Sequence, residues 1–216
     1  MKKRIWMVVV VVATFGAAAL FSAVASADST TDAPAAGAAE APLPPGWTQE
    51  DMQTMIAAGT PGEMHKLLAD GIGTWRCETT MWLTPDSEPI SSQGVTKVTP
   101  LMDGRYIQVE MEGEMPGMGP YRGRGVYGYD NVSQKFTAVW IDNCSTGMLI
   151  GTGELSDDGK TITWTYTGNC PLKKGPITMR DVETTTGPNT KTLESFGPDR
   201  KTGEEYQVMR IELTRE

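Results

Sequence analysis

The side chains that most often carry chemistry are few in this 216-residue chain, and they are poorly grouped. Its one histidine, His65, has no second histidine with which to hold a metal or build a triad, so capping or packing is its expected role. No H-E-x-x-H, G-x-S-x-G or C-x-x-C pattern occurs, and metallohydrolase, serine-hydrolase and thioredoxin-type chemistries lack their residues. Gly123-Arg124-Gly125-Val126-Tyr127-Gly128 fits the letters of G-x-G-x-x-G. That fingerprint binds a pyrophosphate only where a strand, a glycine turn and a helix follow one another. Here Tyr127 and Tyr129 continue a strand alternation into a turn at Asp130-Asn131, so the glycines are expected to bend the strand or admit a close neighbour. Glu110 and Glu112 share a strand face, as do Arg122 and Arg124; a solvated outer face is expected of them rather than an acid–base pair. No catalytic residue, metal ligand or cofactor is assigned, and an enzyme is the least favoured class.

The elements that must position any site follow from periodicity. Residues 47–58 carry a plausible N-cap in Thr48 with Glu50 and Asp51 in the first turn, and Gly59 stops them. Residues 61–70 form a second short helical pattern with Met64, Leu67 and Leu68 on one face. From Thr74 the period changes to two, and strand-like runs recur roughly every ten residues between turn residues. The expected fold is all-β: an antiparallel up-and-down barrel of about ten strands over residues 73–216, with one or two short helices before it in 47–72. Closure hides the strand edges. A Gly/Met/Pro loop is expected at 113–120, whose Met115 and Met118 form a greasy lip or fold onto the core.

Met1-Lys2-Lys3-Arg4, the apolar run 5–21 and Ala25-Ser26-Ala27 follow the order of a secretory signal, with cleavage expected after Ala27. Residues 28–46, rich in Ala and Pro, read as a disordered linker. The expected location is periplasmic or extracellular in a bacterium, and a membrane partner is expected only if the signal stays uncleaved. The net charge of −8 becomes more negative without the signal, which argues against nucleic acid. In an oxidising compartment Cys144 and Cys170 are a candidate disulfide, Cys77 being left as a buried thiol. Their strands stand two apart, about 9.6 Å, whereas a bridge needs Cα atoms within about 7 Å, so the loops would have to lean together.

Gly73-Thr74-Trp75 is a G-x-W at the start of the first strand, and Arg210 and Arg215 lie near the end of the last. This arrangement resembles the lipocalin-like (calycin) barrels, in which an arginine commonly packs on that tryptophan, a cation–π contact. A longer series covers residues 65–216: His65-Lys66-Leu67-Leu68, Gly104-Arg105-Tyr106, Gly113-Glu114-Met115, Gly128-Tyr129-Asp130-Asn131, Trp140-Ile141-Asp142-Asn143 and Thr146-Gly147. It is similar to the bacterial domain of unknown function 1579 family, with departures at Arg122 and Cys144. The resemblance implies a lipocalin-like barrel and supplies no functional residues.

Strand parity counted from an inward Trp75 gives Met81, Val109, Met111, Tyr127, Trp140 and Met148 as candidates for the lining of a pocket. Two outcomes follow. The lining holds a small apolar molecule, or it fills a narrow core and the protein is a structural or interaction component of the cell envelope.

Overall fold

The alternation that begins at Gly73 becomes ten strands among the described residues: β1 (Gly73–Met81), β2 (Ile90–Leu101), β3 (Tyr106–Met115), β4 (Gly119–Asp130), β5 (Lys135–Asp142), β6 (Leu149–Leu155), β7 (Thr161–Cys170), β8 (Gly175–Gly187), β9 (Thr190–Pro198) and β10 (Glu205–Arg215). Each is antiparallel to the next, and β10 pairs back onto β1 to close the barrel. The computed structural model describes residues 43–115, 117 and 119–216. The expected signal segment, its Ala27 cleavage point and linker residues 28–42 lie outside the described residues. The expected loop at 113–120 is shorter than its glycines and prolines suggest, because pairing continues to Met115 opposite Gly119.

Two helices precede the strands. In α1 (Gln49–Gly59), Thr48 Oγ1 accepts from the Asp51 N–H at 3.1 Å while Asp51 Oδ2 accepts from the Thr48 N–H at 2.9 Å, a reciprocal cap. No residue of α1 is buried. The second helix, α2 (Glu63–Ala69), belongs with the strands to the compact unit Thr60–Glu216. His65 is buried at its start, and its Nδ1 accepts from the Gly62 N–H at 3.0 Å. The ring stands edge-on to Tyr129 with centroids 5.9 Å apart. The capping and packing expected of a lone histidine are what it does.

The core is aromatic. Trp75, Phe136, Trp164 and Tyr166 are buried with Leu68, Val98, Ile107 and Ile162. Tyr129 meets Phe136 and Tyr127 meets Trp164 in edge-to-face contacts with centroids 5.0 and 5.3 Å apart, the geometry that ring quadrupoles favour. Glycine makes room for the rings. A Cβ on Gly123 would lie 2.2 Å from Trp140 Cζ2, and one on Gly151 would lie 2.4 Å from Tyr166 Cε1. Gly125 and Gly153 stand in the same relation to Trp140 and Trp164. The glycines of the G-x-G-x-x-G look-alike thus sit in mid-strand, where side chains cross them.

Gly123→Ala is therefore expected to displace Trp140 and lower stability by about 1–3 kcal/mol. Gly147→Ala, with nothing within 4 Å of its Cβ, is expected to change it little. Chemical denaturation of the two variants checks the contrast; equal midpoints would show that the ring contact does not constrain the wall.

Candidate functional site

Parity carries every second side chain into the lumen, yet the lumen is not filled. It contains a cavity of about 690 Å³ toward the α2 end and a second of about 290 Å³ toward the other. Met111, Tyr127, Trp140, Leu193 and Ile211 border both. Of the residues expected to face inward, Val109, Met111, Tyr127 and Trp140 line the larger cavity, and Met81 lines the smaller with Met111, Tyr127 and Trp140. Met148 does not join them. It is 61% exposed and precedes β6, and Leu149, paired with Trp140, takes the inward place. Counting from Met148 put that strand one residue out, which exchanges the two faces.

At the α2 end Trp75 anchors the closure. Its indole N–H donates to the Gly71 carbonyl at 2.9 Å. The Arg215 guanidinium lies 4.2 Å from the ring centroid and donates to the carbonyls of Ile72 and Asp70. Gly73 has φ +139°, and a Cβ there would meet Arg215 Nη1 at 2.8 Å; backbone conformation and space both call for glycine. Arg210 has no part in this contact. It lies on the outer face of β10 and donates to Glu194 at 2.9 Å and Glu212 at 3.2 Å. Of the two candidate arginines, Arg215 is the one that stacks on the tryptophan. Lys191 also approaches the Trp75 ring, at 5.6 Å, and pairs with Glu183 at 3.0 Å.

The smaller cavity is polar in a different way. It is bordered by Thr79, Ser92, Asp142, Asp181 and Ser195, with Tyr121, Tyr127 and Tyr166 between apolar side chains. The Tyr166 hydroxyl donates to that of Tyr127 at 3.5 Å, and the Trp140 indole N–H donates to the Tyr121 hydroxyl at 3.2 Å. Burial pushes all three phenols well above their ordinary pKa, so they are neutral donors and acceptors. Asp181 is shielded by the wall yet keeps surface toward the cavity. Burial raises its pKa to about 6; the Ser195 hydroxyl opposes that, the Glu183 charge adds to it and Arg180 opposes it. Ser195, 2% exposed, faces Asp181 across the β8–β9 pair, and its Oγ has no hydrogen bond of standard geometry among the described residues.

Sequence reasoning missed Asp181, Glu183, Lys191 and Ser195. Polar residues alternating along a strand are read as its outer face, and here the alternation is inverted. The register could have been taken from Met179, the apolar residue two before Asp181, which packs on the core. The pairs expected outside are outside: Glu110 stands opposite Arg124 and binds it, and Glu112 stands opposite Arg122.

The candidate bridge between Cys144 and Cys170 is absent; both are free thiols, as is Cys77. Cys170 remains in β7, paired with Gly175, while Cys144 stays beside Asp142, whose Oδ1 accepts its N–H at 2.8 Å. The two thiols are not brought together across β6, the one strand between β5 and β7. Cys77 is buried with its sulfur 3.2 Å from Thr96 Oγ1. Burial raises the pKa of Cys77 and of Cys144, the latter further through Asp142, the opposite of what a nucleophilic thiolate needs. No group of three or more His, Cys, Asp or Glu among the described residues is arranged to hold a metal ion.

A family model described as "Protein of unknown function (DUF1579)" matches residues 60–215. No curated protein sequence matches the chain. Rv2717c from M. tuberculosis is similar in structure, with a TM-score of 0.55 at 12% identity, covering 73% of this chain and 99% of that one. The S-type phycobiliprotein lyase CPES from Guillardia theta is similar with a TM-score of 0.51 at 9% identity, covering 75% of this chain and 96% of that one. Likeness at these identities establishes the lipocalin-like barrel architecture.

Two outcomes follow from the titratable groups. Protein purified without reductant and then unfolded is expected to release three thiols to Ellman's reagent; a value of one would restore the bridge. For Asp181, the folded barrel holds a proton up to about pH 6 that the unfolded chain loses near 3.8, so this residue makes stability fall as pH rises through that window. Asp181→Asn is expected to raise the melting temperature over wild type at about pH 8 and to leave it unchanged at about pH 3.5. A gain of equal size at both pH values would contradict the assignment.

Proposed function

The chain belongs to the DUF1579 family, whose description leaves its function open, and we propose that this member is a carrier or sensor that encloses a small, largely apolar molecule in the barrel lumen. The observation that carries this reading is the 690 Å³ cavity. Binding sites for small molecules commonly occupy about 300–1,000 Å³ and are apolar with a few fixed polar groups. Trp75, Val98, Ile107, Val109 and Trp164 supply the apolar wall, and Lys191, Glu183 and Arg215 the polar points. Unfilled apolar space of this size costs packing energy in a protein that gains nothing from it. The reading with a filled core, a structural or interaction component of the envelope, has no such observation behind it.

We propose further that the protein works outside the cytoplasm, on the strength of the charged, apolar and small-residue order in its first 27 residues. Under this reading the mature protein begins at Asp28 and meets its ligand in the periplasm or medium.

Two measurements test the pair of proposals. The barrel, incubated with a lipid extract of bacterial cells and passed through a desalting column, is expected to retain a bound molecule by native mass spectrometry. Val109→Trp, which places an indole in the larger cavity, is expected to abolish retention while leaving the circular dichroism unchanged. Equal retention by the variant would place binding outside the lumen. N-terminal sequencing of the exported protein is expected to begin at Asp28; an intact first residue in the envelope fraction would replace the carrier by a tethered barrel.

A further inference from the structure

The two cavities differ in the sign of the charges around them. The larger is bordered by Lys160, Lys191 and Arg215 as well as Asp70 and Glu183. The smaller is bordered by Asp142, Asp181 and Glu114, with no lysine or arginine. The nearby cations are engaged elsewhere. Lys191 is paired with Glu183. Arg180, next to Asp181 in sequence, turns to the outside, where it pairs with Glu205 at 2.6 Å and stacks on Phe196 at 4.1 Å. Arg210 is held by Glu194 and Glu212. Among the described residues Asp181 has no ion-pair partner.

A second observation comes from Ser195. Its hydroxyl is buried, borders the same cavity and has no hydrogen bond of standard geometry among the described residues. Its proton is directed at Asp181, whose charge it favours, so its oxygen lone pairs are what it leaves open toward the cavity. A carboxylate and a hydroxyl facing one another across β8 and β9 both offer acceptor lone pairs to the same space. What satisfies both is a group with several N–H donors and a positive charge.

We propose that the smaller cavity receives the protonated amine head of an otherwise apolar ligand, held by Asp181 and Ser195, with the apolar portion reaching past Met111 and Trp140 into the larger cavity. This deepens the reading of the barrel as a small-molecule carrier and rests on it. The acidic rim of Asp142 and Glu114 favours the same sign of charge. A fatty acid, with its carboxylate head, is disfavoured at this end, because like charges would meet in surroundings that screen them poorly.

The test uses three probes with one chain length: decylamine, decanol and decanoate, each displacing the neutral dye Nile red from the barrel at about pH 8. Decylamine is expected to bind about tenfold more tightly than decanol, the effect of a charge-assisted hydrogen bond, and decanoate more weakly than either. In Asp181→Asn, checked for folding by circular dichroism, the amine and the alcohol are expected to bind within about twofold of each other. Ser195→Ala is expected to weaken decylamine more than decanol. If wild type binds decanol as tightly as decylamine, or if Asp181→Asn keeps the amine preference, the amine site is overturned while the carrier reading stands. If Nile red and all three probes fail to bind, the carrier reading itself fails.

Discussion

An aromatic ring can lie flat along the inner wall of a barrel only where the adjacent strand leaves it space, and here glycine does so twice over. Trp140 crosses Gly123 and Gly125, and Tyr166 crosses Gly151. Much else depends on this arrangement. Rings held along the wall do not fall across the axis, so the core can be close-packed around Phe136 and Trp164 while the lumen keeps its two cavities. Bulky side chains at those glycines would push the rings inward and give the filled core that small barrels often have.

The ends of the lumen are finished by different physics. At one end α2 contributes Leu67 and Leu68, and Trp75 is fixed by its own N–H and by the guanidinium above it. The positive charges there are matched by carbonyls and by Glu183. At the other end the carboxylates of Asp142 and Asp181 stand without ion pairs among the described residues. The barrel is thus electrically polar along its axis, with its apolar middle shared by both cavities.

How much of this the amino-acid sequence discloses depends on which physical signal each part leaves. The fold is legible because burial of one face enforces a period of two from Gly73 onward, and because turn residues punctuate it. The inward places of Met81, Val109, Met111, Tyr127 and Trp140 follow from the same parity. Met148 shows the weakness of the method: a strand start misjudged by one residue exchanges inside for outside. Asp181 and Ser195 show a deeper limit. Parity is inferred from hydrophobicity, so polar residues that face the lumen are assigned to the surface by the very rule that finds the core. Arg210 and Arg215 could not be told apart by sequence position alone, since only parity against Trp75 separates them. The cysteine pairing failed because it required segments to leave the strands, and Cys170 stays in its ladder.

The contact between Arg215 and the segment before β1 has one more consequence, for the order of events in folding. The arginine donates to Ile72, 143 residues away in sequence, and the strands it joins are the first and last of the meander. Every other strand pair in the barrel is a hairpin of neighbours in the chain. Loop-closure entropy grows with the length of chain enclosed, and non-local pairing slows folding. The β1–β10 seam therefore carries the largest closure cost in the molecule. A chain with nine hairpins formed and that seam open is a curled sheet with two bare edges, the form most exposed to edge-to-edge association. Trp75 and Arg215, besides finishing one end of the lumen, form the clasp that takes the chain out of that state.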